Sequence, residues 1–216
     1  MVPRVFVLKK NNNRVQNDLW YLRSKATSKE ELRRIVKNLT TLLIYETMRK
    51  AKLYTKEVKT YNGKFMEKKL FHNDSCFIPI LRAGIFMLPG ALEVFPNAPI
   101  DFIGMSRDHE TLKPKEYLEL KGVKISKNGK YYILDPMVAT GGSILFTINE
   151  LKKLGIKEKN IEILCIFTCP EGIRKIRSKY PNVKISCVTV DQKLNERGYI
   201  IRGLGDAGKR FSGTKS

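Results

Sequence analysis

The densest concentration of chemistry-bearing residues is the run Asp135-Pro136-Met137-Val138-Ala139-Thr140-Gly141-Gly142-Ser143. It follows the apolar stretch 131–134 and precedes a helical pattern that begins at Ile144. A strand therefore feeds an acidic residue, then a small hydroxyl- and glycine-rich turn, then a helix start. The free N–H groups of that helix start and the Thr140 and Ser143 hydroxyls make a pocket suited to a phosphate. Gly141 and Gly142 let the backbone approach the anion with no Cβ in the way. Asp135 stands beside the pocket, able to accept hydrogen bonds from sugar hydroxyls. No Lys follows Gly142, so the loop is not of the GxxxxGK[ST] nucleotide-binding kind. A second glycine pattern, Gly203-x-Gly205-x-x-Gly208, satisfies GxGxxG as a string. The residues that follow it leave no room for a βαβ unit or for an acidic residue about twenty positions on, so it is not read as a dinucleotide site.

Other reactive side chains take ordinary readings. Cys76, Cys165, Cys169 and Cys187 all lie in apolar runs, in no metal-ligand or CxxC spacing, and read as buried reduced thiols. His72 and His109 are the only histidines, and neither belongs to a nucleophilic arrangement.

The elements that must position the loop follow from periodicity. Apolar runs at 76–81, 102–105, 131–134, 161–168 and 183–190 alternate with helical patterns around 90–94, 144–154 and 172–179. Buried strands alternating with helices imply a parallel sheet covered on both faces, whose ligands bind beyond the carboxyl ends of the strands. Upstream, Thr27–Glu30 and Ser28–Glu31 both have the spacing of a capping box. The helix beyond them carries Leu32, Ile35, Val36, Leu39, Leu42 and Leu43 on one face. Residues 54–74 are Lys-rich and read as a hairpin turning at Asn62-Gly63. The expected organisation is a single domain over 1–216, with a helix and hairpin region (1–75), a core (76–192) and a C-terminal loop (193–216).

Several motifs in order resemble those of the uracil phosphoribosyltransferases. DPMVATGGS at 135–143 is similar to that family's loop for phosphoribosyl diphosphate (PRPP). Ile80-Leu81-Arg82-Ala83-Gly84 resembles its diphosphate loop, and Arg107-Asp108-His109-Glu110-Thr111-Leu112 the start of its flexible hood. Leu194–Ile200 with Gly203-Leu204-Gly205-Asp206-Ala207-Gly208 resembles its uracil-binding loop. Apart from about residues 1–14 and 54–74, the likeness spans most of the chain.

The resemblance implies an α/β, type I phosphoribosyltransferase-like core making UMP and diphosphate from uracil and PRPP. It gives Asp135, Arg107 and Asp206 as catalytic residues. Arg82, Arg107, Asp206 and the whole of 135–143 (Asp135, Pro136, Met137, Val138, Ala139, Thr140, Gly141, Gly142, Ser143) would hold PRPP. Ile200, Gly205, Asp206 and Ala207 would hold uracil, and magnesium (Mg2+) would arrive with PRPP, not on a protein-built metal site. A homo-oligomer, dimer or tetramer, is also implied. Three departures stand out. Arg202 occupies a position where the family usually has Pro, Lys209 one where it usually has Asp, and 54–74 lacks the family's usual Glu-Thr-Pro run.

Charge and hydropathy bound the alternatives. The formal net charge is +20, divided as +11 over residues 1–75 and +9 over 76–216, with no basic block. Such a field attracts polyanions, nucleic acid and small phosphorylated metabolites alike. An RNA-binding pyrimidine regulator on the same fold, or a transferase for another base, would share these features. The chain has no RNP-like aromatic motif or basic cluster, so no specific nucleic-acid partner is expected. No apolar stretch approaches a membrane span, and the apolar run near the start is too short for a signal peptide, so a cytoplasmic location is expected.

Overall fold

The computed structural model describes residues 5–8, 12–49, 51, 53–70, 75–107, 114–118, 120, 129–196 and 198–213. Its strands are β1 (Val5–Val7), β2 (Leu53–Thr60), β3 (Gly63–Leu70), β4 (Ser75–Leu81), β5 (Ile103–Arg107), β6 (Pro114–Leu118), β7 (Lys130–Leu134), β8 (Met137–Val138), β9 (Ile161–Thr168) and β10 (Lys184–Val190). Its α-helices are α1 (Asn13–Arg23), α2 (Lys29–Met48), α3 (Leu88–Val94), α4 (Gly142–Lys153), α5 (Pro170–Lys179) and α6 (Ala207–Ser212). The main sheet runs β1-β10-β9-β7-β4-β5-β6, with β8 added beside β9. All its pairings are parallel except β5 with β6, which is antiparallel.

Side chains alternate across this sheet as a strand's period of two demands. Phe77, Tyr132, Leu134, Leu164, Ile166 and Val188 pack with α1, α2, α3 and α6. Ile78, Tyr131, Ile133, Ile163, Cys165 and Ile185 pack with α4 and α5 on the other face. Burial on both faces explains why the central strands read as continuous apolar runs rather than alternating ones. All four cysteines are buried free thiols, and burial pushes the Cys76 thiol up to about 12.

The five apolar runs are all strands of the sheet, and the three helical patterns are α3, α4 and α5. Elsewhere the fold departs from the pattern of the sequence. The N-terminal apolar run contributes an edge strand, β1, which gains its hydrogen bonds only by pairing with β10 far along the chain. Asn12 caps an unforeseen helix, α1, its side chain accepting the Val15 N–H at 3.1 Å. The antiparallel β6 makes the sheet mixed at one edge.

Only Ser28 caps α2, accepting from the Glu31 N–H at 3.2 Å. Thr27 instead donates to the Tyr21 carbonyl, and the Glu31 carboxylate pairs with Arg34 rather than closing a box. In α2 Leu42 lies on the flank, partly buried, and Ile44 joins the buried stripe. The β2–β3 hairpin exists, but Thr60 faces Gly63, so its two-residue loop is Tyr61-Asn62 and Gly63 opens the second strand. His72 lies outside the described residues.

Because Ser28 satisfies an otherwise free N–H at the start of a 20-residue helix, Ser28→Ala should destabilise the protein. The expected loss is about 1 kcal/mol, or about 2–4 °C in Tm. Thermal denaturation checks the shift, with the kinetic constants expected to stay at wild-type values.

Candidate active site

From β4 the chain moves through α3 to β5 on one side, whereas from β7 it moves through α4, β9, α5 and β10 toward the other. β4 and β7 are neighbours, with Pro79 opposite Leu134, so the direction of winding reverses between them. A crevice beyond the carboxyl ends of two such strands is the expected ligand site of an open α/β sheet. The loops that flank it are those containing Arg82 and Asp135, the residues that follow β4 and β7 directly.

The 135–143 loop is fixed by backbone bonds to β9. Asp135 donates its N–H to the Leu164 carbonyl at 3.2 Å, and the Pro136 carbonyl accepts from Ile166 and Phe167 at 3.3 and 3.0 Å. Met137 and Val138 then rejoin the sheet opposite Phe167 and Thr168. Gly141, at φ 76°, turns the chain into α4, a left-handed conformation that suits a residue without a Cβ. No side chain caps this helix start, which leaves the α4 N-terminal amides for an anion. Thr140 and Ser143 are both partly buried at this turn.

Neighbouring glycines hold the loop from two sides. A Cβ on Gly84 would lie 2.3 Å from the Leu134 carbonyl oxygen, and one on Gly172 would lie 2.3 Å from that of Ala139. The Cys169 thiol also donates to the Ala139 carbonyl, at 3.2 Å. Cys169 and Gly172 thus shape the loop from behind, a role that spacing does not signal because it depends on α5 docking.

Asp135 is partly buried, and its carboxylate accepts the Met137 N–H at 3.2 Å. Burial pushes its pKa up to about 7, against a smaller lowering from that hydrogen bond. Arg82 is exposed at the end of β4, after a cis Leu81–Arg82 peptide. Arg107 closes β5 with its backbone opposite Pro114 of β6. Asp108, His109, Glu110, Thr111 and Leu112, the rest of the hood motif, lie outside the described residues.

The C-terminal segment comes back onto the same loop. Residues 193–195 and 199–201 pair as a small hairpin, in which Asn195 donates to the Tyr199 carbonyl at 2.8 Å and Ile201 to that of Lys193 at 3.1 Å. Leu194 and Ile200 face each other as a pair whose own N–H and C=O groups the hairpin does not use. A Cβ on Gly198 would stand 3.5 Å from the Thr140 methyl, and one on Gly203 2.6 Å from the Met137 terminal methyl. The side chains of Ile200, Leu204, Ala207 and Phe211 anchor the segment in the core. Gly205 is exposed, and exposed Asp206 caps α6 through Oδ1, which accepts the Lys209 N–H at 2.9 Å. Arg197 lies outside the described residues. Sequence reasoning missed Arg23 and Arg210, long-range contacts of this segment.

The fold that carries this site is shared with known phosphoribosyltransferases. The Trypanosoma brucei adenine phosphoribosyltransferase, solved with AMP, pyrophosphate and ribose-5-phosphate, has the same fold at TM-score 0.57 and 15% identity, over 95% of this chain and 90% of that one. AQ2163 of Aquifex aeolicus is nearer, with TM-score 0.83 and 35% identity over 96% of this chain and 97% of its own. The family model for uracil phosphoribosyltransferase matches residues 9–214, and the chain belongs to that family. It is 43% identical to the uracil phosphoribosyltransferase of Limosilactobacillus fermentum and 41% to that of Lactococcus lactis subsp. cremoris. Both matches cover 93% of this chain and 95% of the relative.

The raised Asp135 pKa has a consequence for the ligand-free protein. Between the usual carboxylate range and about pH 7 the folded state keeps a proton that the unfolded chain releases. Stability contributed by this group therefore falls as pH rises through that window. Asp135→Asn cannot ionise and removes the effect. Melting temperatures of both proteins from pH 4.5 to 8 should show the variant gaining on wild type as pH rises. Parallel curves would mean that Asp135 is ionised in the fold throughout.

Proposed function

We propose that this chain transfers the 5-phosphoribosyl group of PRPP to N1 of uracil, giving UMP and diphosphate. The observation that carries the reading is the meeting of two loops over one crevice, Gly198 against Thr140 and Gly203 against Met137. In this reading the first segment is a phosphate-holding turn and the second a base-holding loop, and their contact supports a shared ligand. Pyrimidine salvage in the cytoplasm follows from this reading. It agrees with the absence, among the described residues, of a helix long and apolar enough to cross a membrane.

In the reaction the bond from the anomeric carbon to diphosphate breaks, the diphosphate leaves with the electron pair, and a bond to uracil N1 forms as N1 loses its proton. Positive charge develops on the ribose ring, so positioning and electrostatics supply most of the acceleration. The amides at the start of α4, with Thr140 and Ser143, hold the 5-phosphate. Asp135 accepts from the ribose hydroxyls, a task that suits its ionised form. Arg82 and Arg107 meet the departing diphosphate, whose oxygens match a guanidinium fork.

Magnesium enters as part of the substrate, bound to PRPP oxygens and keeping much of its water. Asp206 organises the uracil N1 proton or that magnesium. Uracil itself is read by backbone groups around Ile200 and Gly205–Ala207. The working unit in this reading is one domain over 1–216, its core at 76–192 and its base loop at 193–216. Assembly into a dimer or tetramer belongs to the same proposal, supported by exposed Leu53, Phe65 and Met66 on the hairpin and Trp20 on α1.

Two sets of measurements test the assignment. Asp135→Asn and Thr140→Ala should fold normally and weaken use of PRPP by about 1.5–3 kcal/mol, as expected for losing a charge-assisted hydrogen bond in a closed site. Wild-type kinetics in both would remove 135–143 from the active site.

Base selectivity tests the other loop. Uracil offers a donor at N3 and an acceptor at O4, and cytosine reverses both. Two mismatched groups at about 1–3 kcal/mol each give roughly 2–6 kcal/mol of discrimination, or about 30-fold to over 10⁴-fold in kcat/KM. Uracil, cytosine, hypoxanthine and orotate compared at saturating Mg-PRPP should show that preference. A purine or cytosine used as well as uracil would overturn the base-loop assignment.

A further inference from the structure

The segment between β10 and α6 has an unusual support. It leaves the sheet at Asp191, the residue after β10, and enters α6 at its cap, Asp206. At the first end, Arg23 grips Asp191, one guanidinium nitrogen lying 2.6 and 2.9 Å from the two carboxylate oxygens. Asp191 is only 8% exposed, while the Arg23 side chain keeps 26% of its surface in solvent, so the pair is partly screened. The same guanidinium lies over the Phe167 ring, 5.1 Å from its centroid, and the Phe167 N–H holds the Pro136 carbonyl of the phosphate loop. At the second end, Arg210 of α6 donates to the Leu22 and Ser24 carbonyls at 2.7 Å each, and more weakly to its own neighbour Leu204 at 3.5 Å. Arg23 lies between Leu22 and Ser24. Both ends of segment 192–206 are therefore tied to the last turn of α1, one by a reach outward from the helix and the other by a reach back to it.

We infer that Arg23 and Arg210 are positioning residues that fix the base loop from both ends, using the end of α1 as a common anchor. The inference rests on the reading that 192–206 holds uracil. Neither arginine need touch substrate. Ile200 and Leu204 hold the middle of the segment in the core, and the two arginines set where its ends start and finish. The loop's backbone groups then sit at a fixed distance from the phosphate loop. Removing either tie loosens the base end of the crevice and leaves the bonds from Asp135 and Pro136 to β9 in place.

The test separates positioning from stability. Arg23→Met alone would take the guanidinium from a buried carboxylate, so it is paired with Asp191→Leu, an apolar replacement of a kind that buried ion pairs often tolerate. This double variant and Arg210→Met should fold with near-normal melting temperatures. Their KM for uracil should rise at least about tenfold while kcat and the KM for PRPP stay within about threefold, the split expected for lost base positioning. Arg210→Lys keeps a cation that can donate to both carbonyls and should recover most of the uracil affinity.

Gly205→Val, which places a β-branched residue at φ 69°, serves as a control inside the loop and should raise the uracil KM by itself. If it does, and the clamp variants leave the uracil KM within twofold, the positioning role is wrong. Equal losses in kcat and in both KM values would also overturn it, because they mark general damage. If Gly205→Val has no effect either, the base-loop assignment has failed and the positioning role falls with it.

Discussion

The carbonyl oxygens of Leu134 and Ala139 lie where no side chain could stand, against the Cα atoms of Gly84 and Gly172. This pair of close approaches is the constraint on which the site depends. It wedges the phosphate loop between the turn after β4 and the first turn of α5, so the loop does not have to be held by its own short sequence. An anion site made of backbone amides works only if those amides converge before the ligand arrives. The uncapped start of α4 would otherwise fray or turn to solvent. Rigidity here comes from the packing of three separate segments, and a single Cβ at either glycine would push a backbone carbonyl out of place.

The second loop is held differently. Its side chains Ile200, Leu204, Ala207 and Phe211 are buried. Arg33 reinforces the same end of the chain, donating twice to the Phe211 carbonyl at 2.9 and 2.7 Å and lying over the Phe86 ring. Carbonyls at the end of a helix are unpaired acceptors, and cations are favoured beside them. Arginines thus perform here what backbone hydrogen bonding to a neighbouring strand does for the phosphate loop. Part of the chain's large positive charge is accordingly structural, and because Arg33 and Arg210 donate to neutral carbonyls it still adds to the field that attracts anions.

The sequence made the central sheet legible because strands buried on both faces read as unbroken apolar runs, and β9 could be bounded at 161–168 on that signal alone. The turn at 135–143 was legible as the link from strand to helix because its signals are local: acid, hydroxyls, glycines and helix start all lie within nine residues. What escaped is what depends on distant partners. β1 is three residues long and becomes a strand only against β10. α1 carries few strong apolar repeats, and its cap is one Asn within a run of three. The tie between Arg23 and Asp191 joins residues 168 positions apart, and nothing in the spacing of either distinguishes it from the other charged residues of a basic chain.

The two departures from the family pattern near the base loop fall where the fold can absorb them. Gly203 donates to the Ile200 carbonyl at 2.9 Å, which closes a turn with exposed Arg202 at its third position. That turn needs no ring at Arg202 to form, since its hydrogen bond and the burial of Ile200 and Leu204 on either side already set its course. Lys209 is an exposed residue in the first turn of α6, where a positive charge is opposed by the helix dipole. Asp206 offsets this by capping the Lys209 N–H and placing a carboxylate at the same helix start. Neither change reaches a buried anchor. Both add positive charge to the rim, which favours an anionic substrate such as PRPP without altering the backbone geometry that would read the base.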